Sequence, residues 1–369
     1  MAHWFHRNPI KATEHVDFQL KSVLTTSQTS KICNELRLRR AHLLEHFKDA
    51  SNDLDVLDDD FKQYLSLFSG FVFAVDHDNT KPSKLTALIR FRWCNSMLGS
   101  VATEVNDSWF ELLNICVNMA LWLSKHAAWI AAKDEVFEGD AKKAHTCLRR
   151  AAGILIFVRE SADRVTGLTS FPGSDFDSAV LTAYINQFTA EAQEITVARA
   201  IELKHSPGLI TALAYETSHL FTQAVALLSS TQVPNIYSIC LCFLGENLLS
   251  QDKCGEAVRA CREGVSCFDV AADFVGKYRK TNGPAVRENG FIYHQKVPDI
   301  CPEPERKPTF GLVEAEPFVM PNMNPVKKSS KTLPSVQEVK VYETEHDPGS
   351  QSGCTIIIGL NENMWGREM

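Results

Sequence analysis

Residues 190–216 read AEAQEITVARAIELKHSPGLITALAYE, and this stretch decides the fold class. It runs to Lys204 without a helix breaker, and Ser206-Pro207 then restarts a helix. Serine is a favoured N-cap, and proline fits the first helical position, where its missing N–H is not needed. In the helix opening at Pro207, Ile210, Ala214, Thr217, Phe221 and Ala224 form one apolar stripe at three- and four-residue spacing. Leu209 and Leu213 form a second apolar row, displaced by about 100° around the helix. A one-sided surface helix places polar side chains there. Two arrangements account for the second row. One is a helix packed on two sides in a solenoid; the other is an exposed apolar groove that receives a partner helix through i, i+4 anchors.

Outward from this stretch the helical period continues. Phe176 to Lys204 forms one long helix, and Asp140 to Glu160 another, with Ala144, Ala151, Ala152 and Gly153 allowing close helix approach. Trp109 to Ile130 is a long, mostly apolar helix. Leu54, Leu57, Phe61, Leu65, Phe68 and Val72 recur at helical spacing with Asp58, Asp59 and Lys62 between them. Ser30 to Lys48 repeats the pattern through Ile32, Leu36, Leu43 and Phe47. Downstream, FLGENLLSQDKCGEAVRACREGV (243–265) reads as helix, short turn, helix, with Gly245, Leu248, Gly255 and Ala257 spaced as in a tetratricopeptide unit. Strand character is hinted only in residues 1–27. The expected class is all-α: a solenoid-like array of long antiparallel helices with a small N-terminal β element.

Composition sets the boundaries. Of 15 prolines, six precede residue 297 and nine lie between Pro298 and Pro348. Proline fixes φ and removes a donor, so long helices belong to the proline-poor part. A folded domain is expected over 1–320 and a disordered Pro/Ser/Lys-rich tail over 321–369. The 369-residue chain has 44% hydrophobic residues, ample for a core without disulfide or metal staples. With 38 Lys+Arg against 45 Asp+Glu, the net charge is −7, which argues against nucleic acid as a partner. The start, MAHWFHRNPIKATEH, has no apolar core of a signal peptide, and no run of 18 apolar residues spans a membrane. A cytoplasmic protein with mostly free thiols is expected.

Signals of chemistry are absent. There is no P-loop, no G-x-G-x-x-G and no G-x-S-x-G. Cys240, Cys242, Cys254, Cys261 and Cys267 invite a zinc reading, but a structural site needs tightly paired ligands. Cys254 and Cys261 stand seven apart on a helix, so core packing is the expectation. His145 and Cys147, two apart on a helix, point to different faces. His126, His205, His219 and His294 share no spacing. No catalytic residue, no metal and no cofactor is expected, and the protein is not expected to be an enzyme.

The chain resembles the Bro-one domain family, in its small single-domain branch related to ALIX. The resemblance begins at His3-Trp4-Phe5-His6-Arg7-Asn8-Pro9 and runs through Ser30-Lys31-Ile32-Cys33-Asn34, Asn118-Met119-Ala120-Leu121-Trp122 and Ala151-Ala152-Gly153-Ile154. It is strongest at EAQEITVARAIELKHSPGLITALAYET (191–217) and resumes at DKCGEAVR (252–259), RENGFIYHQKVP (287–298) and FGLVEAEPF (310–318).

The resemblance implies a curved, banana-shaped helical domain around a tetratricopeptide-like core. It implies a non-enzymatic adaptor that binds the C-terminal helix of ESCRT-III subunits, the charged multivesicular body proteins. The family's contact positions map onto Thr196, Leu209 and Leu213, with Lys142 on the neighbouring helix and Tyr293 bordering the same surface. Thr196 stands where ALIX-type members carry a large aromatic, which makes part of the groove shallower. Family membership further implies peripheral association with endosomal or nuclear-envelope membranes and a nuclear-envelope linker protein as a partner. The alternative is a generic helical-repeat scaffold that binds some other peptide.

Two segments are shorter than in the family, at TQVPNIYSICLC (231–242) and TNGPAVRENG (281–290). Missing helices would expose the apolar faces of their neighbours. Single-domain relatives end in a prenylation box, and Cys354-Thr355-Ile356-Ile357 has that form. Prenylation requires the cysteine fourth from the end, and here fifteen residues follow it. Lipidation of Cys354 is therefore expected only for a chain ending at Ile357.

Overall fold

The computed structural model describes residues 10–18, 27–73, 83–96, 102–133, 135–168, 174–227, 244–245, 248–266, 281–302, 308 and 310–323. Along them run α1 (Ser27–His46), α2 (Leu54–Val72), β1 (Phe91–Cys94), β2 (Ala102–Val105), α3 (Ser108–Ala131), α4 (Glu138–Ser161), α5 (Ser178–Glu202), α6 (Pro207–Leu227) and α7 (Cys254–Ser266). Residues 281–288 are helical and end in a π turn at Asn289–Tyr293. The helical class is the expected one. No helix of the described residues is long and apolar enough to cross a membrane.

The β element is a two-stranded antiparallel sheet, with Phe91 opposite Val105 and Cys94 opposite Ala102. It lies outside residues 1–27, from which Thr13 contributes an isolated bridge to Trp93. Strands of four residues bury just one or two side chains each, too short a period-two signal to read locally. The 231–242 segment, Cys240, Cys242 and Cys267, and residues 324–369 with Cys354 lie outside the described residues, while Asn322, inside the expected tail, accepts a hydrogen bond from Ser66 Oγ at 2.7 Å.

The chain forms two compact units. One comprises residues 5–129, 153–181 and 317–369. In it Asp53 caps α2, its carboxylate accepting from the amides of Asp55 and Val56. The expected stripe Leu57, Phe61, Leu65, Phe68 and Val72 is buried. Phe68 stacks on Tyr64 at 5.5 Å and meets Phe18 and Phe91 edge-on, so α2 supplies an aromatic centre. Beside it Glu111 of α3 is fully buried. Its Oε1 accepts from Arg40 Nε at 2.7 Å and from the Tyr64 hydroxyl at 3.0 Å, and its Oε2 accepts from Trp93 Nε1 at 2.7 Å. Oε2 also accepts from an Arg40 terminal nitrogen at 3.2 Å, so each oxygen accepts two bonds, as a buried charge requires. Lys11 pairs with Asp175 at 2.6 Å, and its backbone exchanges hydrogen bonds with the Asn118 side chain, fastening the N-terminal segment to α3.

The other unit comprises residues 1–4, 130–152 and 182–316. In it α5 ends in a Schellman motif: the amide of His205 bonds the carbonyl of Ala200, and that of Lys204 bonds Ile201, with Lys204 at φ 55°. The chain then turns into α6 at Pro207, where Ser206 Oγ accepts from the Leu209 amide at 3.4 Å. A second such turn at Asp252, φ 61°, leads into α7. Gly245 lets that hairpin close, because a Cβ there would lie 2.6 Å from Cys261 Sγ. Cys261 and Cys254 are both buried in this packing, as core cysteines are.

Candidate functional site: the α5–α6 surface

Leu213 is the centre of a small apolar cluster with Val197, Ala200, Ile210 and Ala214, and is itself 1% exposed. Leu209, Ile201 and Tyr215 pack against this cluster half-buried. Of the two arrangements open for the second apolar row, Leu213 adopts the covered one and Leu209 remains partly at the surface. Leu213 is therefore not an exposed anchor in this conformation.

The cover comes from 100 residues downstream. Residues 310–316, without regular secondary structure, cross this part of the molecule, and a Cβ at Gly311 would sit 3.3 and 3.4 Å from the two Cδ atoms of Leu213. Gly311 adopts φ +87°, a backbone conformation suited to glycine. Gln193 of α5 grips the segment with both ends of its amide. Its Nε2 donates to the Gly311 carbonyl at 2.8 Å, and its Oε1 accepts from the Val313 amide at 2.7 Å. Arg149 of α4 grips it further on, donating from Nε to the Glu314 carbonyl at 2.7 Å, while the Glu316 amide donates to the Arg149 carbonyl. The strap leaves Phe310 and Leu312 exposed.

Thr196 lies on α5 between Gln193 and Arg199. Half-buried, it places its hydroxyl 3.5 Å from His145 Nε2 and 3.4 Å from the Ala192 carbonyl. Burial, and then the Arg149 charge, holds the His145 imidazole below its ordinary pKa. Lys142 stands exposed on α4 and pairs with Glu138 at 2.9 Å; Arg199 reaches the same carboxylate at 3.6 Å. Hydrogen bonding from Lys142, and its charge, hold that carboxyl below the usual range. A charged rim thus joins α4 to α5 one turn from Thr196.

Tyr293 sits differently. Its hydroxyl donates to Asp252 Oδ1 at 2.6 Å, in the turn before α7, and this bond together with burial pushes its pKa up to about 12. Gln295 bonds the Asp252 carbonyl and the Gly255 amide, so Tyr293 belongs to a latch on the α7 turn. The structure thus brings Thr196, Leu209 and Leu213 to adjoining turns of α5 and α6, with Lys142 at the rim. Gln193, Arg199 and Gly311 join them, none of which the sequence marks.

Among the described residues, the enclosed space beside Lys11, Trp93 and Phe176 is about 10 Å³, the size of a single water. The Cys116 and Cys254 thiols are pushed up by burial, away from the thiolate a nucleophile needs.

The chain matches the BRO1-like domain family over residues 6–336. It is 43% identical over 426 residues to the BRO1 domain-containing protein BROX homolog of Caenorhabditis elegans, covering 96% of this chain and 100% of the relative. That alignment is longer than the chain itself, so the relative carries stretches that are absent here. The BRO1 domain-containing protein BROX of Homo sapiens is 39% identical over 362 residues, 87% of each. Among solved structures, the ALIX BRO1 CHMP4C complex superposes with a TM-score of 0.65 at 18% identity, over 86% of this chain and 96% of that one.

Proposed function

The chain belongs to the BRO1-like domain family, and from that membership we propose that it is a non-enzymatic adaptor that binds the C-terminal amphipathic helix of ESCRT-III subunits. The observation that carries the proposal is the Leu209–Leu213 row on α6, seated on an apolar cluster and flanked by Thr196 and by the Lys142–Glu138–Arg199 rim. An amphipathic helix recognises such a surface through apolar anchors one turn apart, with charges at the edge setting its direction. The likeness to a BRO1 domain solved with CHMP4C supports the same partner class here.

In this proposal Leu209 is the first anchor, and Leu213 becomes the second when residues 310–313 lift away. Thr196 leaves the adjoining end shallow, and Tyr293, expected to border the same surface, is held by Asp252 at the turn before α7. Residues 1–320 act as the Bro-one domain, and the region from 321 onward tethers it. The adaptor links the ESCRT-III polymer to endosomal or nuclear-envelope membranes as a peripheral protein.

The experiment is a calorimetric titration of the full chain with a C-terminal helix peptide of an ESCRT-III subunit, beside Leu209→Asp. Leu209 is partly buried at the edge of the cluster, so its substitution disturbs the core less than one at Leu213, and circular dichroism checks that the variant folds. Saturable binding lost in a folded Leu209→Asp supports the adaptor. A folded wild type that ignores the peptide favours the generic helical-repeat scaffold instead.

A further inference from the structure

His42 and His46 stand one helical turn apart on α1 and face Asp60 on α2. Their Nδ1 atoms lie 3.1 and 2.8 Å from the same carboxylate oxygen, Asp60 Oδ2, and the three ligand atoms all fall within 4.8 Å of one another. The two rings are 4.1 Å apart, centre to centre. His46 Nδ1 and Asp60 Oδ2 are both shut off from solvent. They face each other as an ion pair at 2.8 Å, and His42 Nδ1 approaches the same oxygen, so one carboxylate oxygen is shared by two imidazoles. Two imidazole nitrogens converging on one carboxylate oxygen are a compact set of metal donors.

We propose that His42, His46 and Asp60 hold a divalent transition-metal ion of the Zn²⁺ class, which clamps α1 to α2. Bonds of about 2.0–2.2 Å from zinc to imidazole nitrogen and carboxylate oxygen place tetrahedral ligands about 3.3 Å apart. The 2.8 and 3.1 Å separations are close to that edge length, so a small side-chain movement admits the ion. Two imidazoles and one carboxylate are a borderline-soft set that favours Zn²⁺ over the hard ions Mg²⁺ and Ca²⁺. A water completes the fourth position, as in other three-ligand sites. The surroundings are braced: Arg39 bonds Gln63 across the same two helices, Gln63 bonds Asp59 at 3.0 Å, and Asn52 caps the His46 carbonyl at 2.8 Å. Nothing in the adaptor function uses these residues.

The test is calorimetric titration of chelator-stripped full-length protein with Zn²⁺, beside His46→Gln and His42→Gln, with circular dichroism and melting curves on each. One equivalent should bind the wild type and raise its melting temperature. Each folded variant should lose more than the 10–100-fold in affinity that a change behind the ligands costs. Because eleven cysteines offer rival ligands, the Co²⁺-loaded wild type is examined by absorption. A spectrum without thiolate-to-metal charge transfer is expected, and this readout stands even if a variant fails to fold. Absence of saturable binding, unchanged affinity in the folded variants, or a thiolate band would each overturn the site and leave a plain His–Asp–His contact between the helices.

Discussion

Gly311 lies directly on Leu213: a methyl group in place of its α-hydrogen would approach both Cδ atoms of that leucine to 3.3–3.4 Å. The most buried side chain of the α6 second row is thus covered by backbone from the same chain, held there by Gln193 and Arg149. The two leucines consequently have different jobs, and their substitutions separate.

Leu213→Ala empties a filled position in the apolar cluster and should cost about 2–5 kcal/mol of stability. Leu209→Ala, half-exposed, should cost less than about 1.5 kcal/mol. Urea unfolding of the two variants measures the difference. Equal losses would mean that both leucines are buried alike.

Gly311→Ala adds a Cβ at a positive φ and presses it against Leu213. The left-handed conformation alone costs a non-glycine residue about 1–2 kcal/mol. The strap should loosen while the helices stay intact, so amide hydrogen exchange at 312–316 should quicken without a matching change in α5 or α6. Unchanged exchange there would contradict the tight fit.

Glu111 accepts from the buried ends of Arg40, Tyr64 and Trp93 and is the carboxylate paired with Arg40, whose other acceptors are the neutral Glu14 carbonyl and Thr13 hydroxyl. Glu111→Leu leaves the Arg40 charge buried without its carboxylate, a loss of about 3–5 kcal/mol. Thermal or chemical melting should show it. A near-neutral result would mean that the Glu14 carbonyl and the Thr13 hydroxyl are enough to hold the Arg40 charge.

His145 titrates below its ordinary value in the folded protein, because burial and Arg149 disfavour the imidazolium. Below about pH 6.5 the unfolded chain therefore binds more protons at this site, and stability falls as the pH is lowered from there towards the folded pKa. His145→Gln should flatten that slope without altering stability above pH 7. An unchanged slope would place the acid sensitivity elsewhere.

Helices are legible from local pattern, whereas the strand character hinted in residues 1–27 is not where the sheet forms. The α2 stripe from Leu57 to Val72 and the Ser206-Pro207 helix start need only neighbours in sequence, and both are found as expected. Burial of Leu213 was not legible, because its cover is the backbone of residue 311, which has no side chain to signal its destination. Strands β1 and β2 are too short to show alternation, and Tyr293 depends on Asp252, 41 residues away, for its hydrogen bond. The His42–His46 pair draws no notice in the sequence, because its third member, Asp60, comes from the next helix.

The central claim is that α6 docks an ESCRT-III helix and that the strap competes for the same leucine. The most direct measurement is the affinity of the full chain for the ESCRT-III C-terminal helix peptide in wild type, Leu209→Asp and Gln193→Ala. Gln193→Ala removes both bonds that hold Gly311 and Val313. The account predicts binding by the wild type, loss in a folded Leu209→Asp, and tighter binding in Gln193→Ala. Equal affinity for all three folded proteins would contradict it.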